Sequence, residues 1–188
     1  MQLPRSPFRR LTCVAVLAFA AALAPATTLV AAVSRATPAG AVGPPACSTA
    51  GLVVWLDTQG NGTAGSVYYD LELTNLSGQT CTLSAFPGIS AVNLAGHQLG
   101  SAARDTGSKK SAVVTLANGD TATAVVQIVD TGVFPPARCN QVHAAGLRVY
   151  PPDQYTSKVV PFPFLACSRS GPVYLIVQPV EKGVFGWS

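Results

Sequence analysis

The segment from Ser66 to Asn75, SVYYDLELTN, decides the fold. Val67, Tyr69, Leu71 and Leu73 fall on one side of an extended chain, and Tyr68, Asp70, Glu72 and Thr74 fall on the other. Alternation with period two is the signature of a half-buried antiparallel strand, with one face on a core and the other in water. Asp70 and Glu72 share the second face, at a spacing of about 6–7 Å from strand geometry. Paired carboxylates can perform glycoside hydrolysis or hold calcium. Here they alternate with apolar residues, so a solvated outer face is expected.

Working outward, similar segments recur at short intervals. LVVWLD (Leu52–Asp57) precedes the turn QGNGTAG, and LSGQ leads from SVYYDLELTN into the returning TCTLSA. GISAVNL pairs through AGHQ with a short partner, and SAARDTGSKKS reads as a long polar loop in which Lys109 and Lys110 are solvated. AVVTL leads through ANGD into TATAVVQIVD, whose Ala122, Ala124, Val126 and Ile128 share a face. FPPARCNQVHAAG looks irregular, LRVYPPDQYTSKVVPF reads as two strands around a Pro-Pro turn, and PVYLIVQPV is the last strand. No segment sustains a helical period. Many short strands punctuated by Gly, Pro and Asn predict an all-β sandwich or barrel.

The N-terminus has the layout of a secretory signal. Arg5, Arg9 and Arg10 precede an apolar run from Leu11 to Ala24, and small residues near 26 and 32 suit signal peptidase. Cys13 falls within that run as a small hydrophobe. The expected organisation is a signal peptide over 1–32, a Pro/Gly/Ala-rich flexible linker over 33–46, a β-sandwich over 47–179 and a tail over 180–188. An uncleaved Leu11–Val33 segment, long enough to span a bilayer, would instead anchor the domain.

Four cysteines then remain: Cys47, Cys81, Cys139 and Cys167. An even count in an exported chain reads as disulfides, and four cysteines allow three pairings. Cys47 with Cys81 and Cys139 with Cys167 is the favoured set, because each pair lies within one half of the domain. Each bridge would close a loop worth about 3.5–4 kcal/mol on chain-entropy grounds. Cys81, just past a tight turn, would then pin the start of the domain to a returning strand. After it, Pro87 and Gly88 form a bend, with Gly88 taking the left-handed region.

The formal charge of +4 comes from the leader and linker, since the eight basic residues beyond residue 46 balance the eight acids. No basic footprint for nucleic acid exists. Charged residues make up 11% of the chain, so the polar surface rests on Thr, Ser, Asn, Gln and Gly.

An ordered set of elements resembles the actinobacterial domain of unknown function 4232, found in secreted, lipoprotein and membrane-tethered chains. The set is Asn75, Cys81-Thr82-Leu83, Phe86-Pro87-Gly88, TLANGDTATA, Cys139, Leu147-x-Val149-x-Pro151-Pro152, Cys167 and a closing strand ending at Pro179. Asn118 stands where that family usually has proline. The resemblance implies export and a sandwich-like β fold, which makes a single immunoglobulin-like antiparallel β-sandwich with two intradomain disulfides the expected fold, and it carries no activity or catalytic residues. The tail's Phe185 and Trp187 lie beyond it.

Candidate chemistry is sparse. His97 sits in a hairpin turn and His143 in the irregular stretch after Cys139; either could serve an envelope hydrolase, but no G-x-S-x-G elbow frames a triad. Neither the histidines nor the widely spaced cysteines match metal-ligand spacing, and no cofactor is implied. Tyr150, Tyr155, Phe162 and Phe164 cluster around the Pro-Pro turn as core packing or as a weak ligand patch for a glycan or peptide. Asn61 in NGT and Asn75 in NLS match the glycosylation pattern and read as turns in a bacterial chain. The expectation is a non-catalytic binding or structural module of the cell envelope, secreted or on the surface, with an unknown envelope protein or glycan as partner. The alternatives are the hydrolase and a membrane-tethered, sensor-like ectodomain.

Overall fold

A computed structural model describes residues 43–107 and 112–184. The signal segment, most of the linker, Lys109, Lys110, Phe185 and Trp187 lie outside them.

Among the described residues thirteen strands follow one another: β1 (Leu52–Leu56), β2 (Asn61–Thr63), β3 (Ser66–Asn75), β4 (Cys81–Leu83), β5 (Gly88–Val92), β6 (Gln98–Leu99) and β7 (Arg104–Asp105). Then come β8 (Val114–Leu116), β9 (Thr121–Val129), β10 (Gln141–Tyr150), β11 (Lys158–Cys167), β12 (Leu175–Val177) and β13 (Glu181–Lys182). Helix among the described residues is confined to two single 3₁₀ turns and α1 (Pro136–Cys139). The strands form three sheets. The largest runs β1-β3-β9-β12-β7, with β2 added to β3 and β13 to β9; the second runs β11-β10-β5-β6; β4 and β8 form the third.

The pair β3–β9 is the spine. Leu71 lies opposite Ala124, and Leu73 opposite Ala122. These four side chains have no exposed surface. Small residues on β9 facing leucines on β3 leave room for Leu147 and Val149 of β10, Ile89 of β5 and Leu116 of β8 in one hydrophobic cluster drawn from all three sheets. Burial of a Leu-sized side chain is worth about 1.5–3 kcal/mol, so this face supplies the main drive to fold.

The second sheet ends in an edge strand whose sequence fits its place. On β11, Pro161 and Pro163 alternate with the inward Val160, Phe162 and Phe164, as expected where ladder hydrogen bonds are dispensable. A bulge between Ala144 and Gly146 shifts the β10–β11 register. Gly146 is required there: a Cβ would lie 2.3 Å from the Val160 carbonyl oxygen.

Both disulfides are formed, Cys47 to Cys81 and Cys139 to Cys167. The first works with a short backbone ladder, in which the Cys47 amide donates to the Thr82 carbonyl (2.9 Å) and the Thr82 amide donates to Pro45 (2.8 Å). The second joins α1 to the end of β11, where the Ser168 and Arg169 amides donate back to Asn140 and Cys139.

Several local expectations are corrected. TCTLSA does not return against SVYYDLELTN: β4 pairs with β8 instead, because β1 and β9 already flank β3. The polar loop after β6 contains β7, which lies parallel to β12, so the pairing is not purely antiparallel. The stretch read as irregular becomes strand at Gln141. Glu181 and Lys182, assigned to the tail, pair with Thr123 and Ala122 of β9. The left-handed residue of the bend is Ala85 (φ 68°), whose carbonyl accepts from Val180; Gly88 is extended and lies beneath the Tyr150 side chain.

Candidate functional site

The end of the large sheet opens into a cleft of about 400 Å³. One wall is the β2–β3 hairpin, with Thr63 and Ser66. The floor is the end of β9, running into Asp130 and Thr131. The opposite wall is Phe164 and Leu165 of β11. Its shape follows from local chemistry. Gly65 takes a positive φ in the hairpin turn. The Asp130 carboxylate accepts from the Gly132 amide (2.8 Å) and caps the 3₁₀ turn that ends the floor. The Asp130 amide donates to the Gly65 carbonyl (2.9 Å), which ties the hairpin to the floor. Thr131 is buried and accepts from the Gln141 side chain (3.0 Å).

An aromatic ladder borders the cleft, with Tyr69 and Phe164 in its lining. Tyr69 meets Phe162 edge-on at 4.8 Å between ring centroids, and Phe162 is tilted against Phe164 at 5.9 Å. The arrangement favours the opposed charge of ring edge and ring face. The four aromatics expected around the Pro-Pro turn are not one cluster. Phe162 and Phe164 pack on the core edge. Tyr150 ends β10, six residues beyond the Ala144 that opposes Phe164, a span of about 20 Å along a strand. Tyr155, at the hairpin tip, is 98% exposed. Tyr69 belongs to the ladder and was read only as a core residue. Thr63, Ser66 and Asp130 were read as turn or strand-end residues; the glycines of QGNGTAG and the capping sequence Asp130-Thr131-Gly132 were their only signal.

The carboxylate pair is placed differently from expectation. Asp70 and Glu72 have no exposed surface, so they are not on a solvated face. Glu72 lies opposite Trp55 of β1 and Thr123 of β9. Its Oε2 accepts from the Thr123 hydroxyl (2.8 Å), while Oε1 has no hydrogen-bond partner among the described residues. Burial pushes the Glu72 carboxyl up to about 7; the Thr123 hydrogen bond opposes this, and the charges of Asp70 and Asp57 add to it.

Asn75, two residues past the last core leucine of β3, is an organiser rather than an exposed sugar acceptor. It has no exposed surface. Its amide nitrogen donates to the Gln79, Leu116 and Ala117 carbonyls, and its oxygen accepts from the amide and hydroxyl of Ser77. Asn118 adds to the same corner by accepting from the Gly78 amide (2.8 Å). Asn61 is exposed on β2. His97 and His143 are both exposed, the first in the β5–β6 turn and the second on the outer side of β10. Among the described residues no group of three His, Cys, Asp or Glu side chains could hold a metal ion, and no helix is long and apolar enough to cross a membrane.

These features define a class: a disulfide-bonded, mostly β domain of three sheets, organised around a buried asparagine corner and open at one end. The chain belongs to the family described as domain of unknown function DUF4232, which matches residues 47–181. No curated protein and no solved structure matches the chain. The two disulfides point to an oxidising, extracellular environment.

Proposed function

We propose that the protein is an exported, immunoglobulin-like β-sandwich that acts as a non-catalytic binding module of the bacterial cell envelope. It is secreted after removal of the N-terminal segment. Its cleft takes a small uncharged polar segment, and an envelope glycan is the partner that fits best. The observation that carries this reading is the cleft itself: an opening of about 400 Å³ lined by the aromatic rings of Phe164 and Tyr69 together with the polar Thr63, Ser66 and Asp130. An apolar surface with a few converging polar groups, held between tied strands, is the usual form of a ligand site. The low charge of the domain suits a neutral ligand, and loops at the end of a rigid β scaffold are where binding residues concentrate.

The test is an NMR titration with soluble fragments of cell-wall glycan. Amide shifts confined to Thr63, Ser66, Asp130 and Phe164, abolished in Thr63→Trp, support the reading. Thr63 is exposed, so this substitution fills the cleft without disturbing the core. Shifts elsewhere, or none with any glycan while a peptide shifts the same amides, sink the glycan assignment. In this reading His97 and His143 have no chemical role, so replacing both with alanine leaves binding intact.

A further inference from the structure

Thr123 Oγ1 stands between two acceptors. It lies 2.8 Å from Glu72 Oε2 and within hydrogen-bonding distance of the Gly183 carbonyl oxygen. A hydroxyl has one proton to donate. With Glu72 ionised, Thr123 serves either the carboxylate or the carbonyl, and the other contact has no proton. With Glu72 neutral, its own O–H donates to Thr123 Oγ1, and Thr123 donates onward to Gly183. Both contacts are hydrogen bonds in one protonation state only. Glu72 is fully buried and Thr123 is 1% exposed, so bulk water does not supply the missing partner.

Gly183 closes the short C-terminal strand. β13 pairs with β9 over two residues, joined by the Gly183 amide on the Thr121 carbonyl (3.0 Å) and the Lys182–Asp120 ion pair (3.1 Å). A strand of two residues opens locally at low cost, so one buried link weighs heavily. We propose that Glu72, Thr123 and Gly183 form a proton-operated latch, which holds β13 against β9 while Glu72 is neutral and releases it when Glu72 ionises.

The charged groups around the latch favour this direction. β3 contributes Asp70 and β1 leads into Asp57, and both disfavour a charge on Glu72. β13 places Glu181 opposite Thr123, and its Lys182 is committed to Asp120. Within β9, Thr121–Val129 has no ionisable side chain, and the residue of β1 facing Glu72 is Trp55. Burial and these acids together raise Glu72 to about 7, which puts the transition near neutrality.

The experiment is hydrogen exchange by NMR on the full chain, following the Gly183 amide with Leu147 in the second sheet as reference. Protection corrected for intrinsic exchange should fall by roughly tenfold for Gly183 between about pH 5.5 and about pH 8, with Leu147 unchanged. Glu72→Gln, whose amide donates to Thr123 at every pH, should keep Gly183 protected throughout, and Thr123→Val should leave it unprotected throughout. A ¹³C titration of the Glu72 carboxyl in the unaltered protein tests the same point without a variant. A midpoint near 4.5, equal Gly183 protection at both pH values, or a Glu72→Gln variant that still loses protection as pH rises would each overturn the latch.

Discussion

Asn75 and Glu72 lie three residues apart on the same strand, and neither has exposed surface, yet their surroundings treat them in opposite ways. Asn75 is saturated: its amide donates to three carbonyls and accepts twice from Ser77. Glu72 has one short link to Thr123 and a second oxygen without a hydrogen bond among the described residues. A buried polar group is tolerated when its bonds are complete and is costly when they are not. The Asn75 corner is therefore built for permanence, beside the Cys47–Cys81 bridge and the β4–β8 pair. The Glu72 region is built so that one proton matters.

The largest effect should come from the corner. Replacing Cys47 and Cys81 with serine removes the bridge and should cost about 3.5–4 kcal/mol in chemical denaturation, enough to threaten folding of a domain this size. Asn75→Ala removes the bonds that tie Gln79, Leu116, Ala117 and Ser77 together, although Ala117 keeps the Asp120 amide and Gln79 the Ser77 hydroxyl as donors, and should cost about 2–4 kcal/mol, independent of pH between about 5 and about 8. A pH-dependent cost at Asn75 would erase the contrast with Glu72.

Glu72 should behave in the opposite sense. Its folded-state pKa, about 7, lies above the ordinary value of 4.5, so the folded protein holds a proton that the unfolded chain releases in this range. Stability from this group is complete below about 4.5 and declines as pH rises to about 7, then levels off. The decline should be about 3 kcal/mol in urea unfolding followed across pH, and Glu72→Gln should flatten it. The smallest effect belongs to the exposed histidines. His97→Ala with His143→Ala should change stability by no more than about 0.5 kcal/mol and leave glycan binding unaltered. Loss of an activity in that double variant, with folding intact, would instead favour an envelope hydrolase.

Much of the fold was legible in the chain because strand periodicity is local. SVYYDLELTN spans β3 from end to end, and Ala122, Ala124, Val126 and Ile128 form the buried side of β9 as their spacing predicts. The cysteine pairing was legible as the simplest of three choices, and Asn75 was legible through the family resemblance, although its bonds were not. The candidate site was much less so. The cleft is lined by glycines and small polar residues whose individual signals are only those of turns. Its aromatic ladder joins Tyr69 to Phe162 and Phe164 across more than ninety positions of sequence.

By itself, the sequence determined which residues alternate, where the turns fall, that four cysteines can pair, and which family the domain joins. These depend on neighbours within a few positions or on residue type alone. Only the tertiary structure decided that β4 finds β8 rather than β3, that Arg104–Asp105 lies parallel to β12, and that the two carboxylates of β3 are shut away from water. The reason is common to all three. Alternation sorts side chains onto two faces, but whether a face or an edge is covered depends on distant segments, and that coverage sets which polar groups need a partner or a proton.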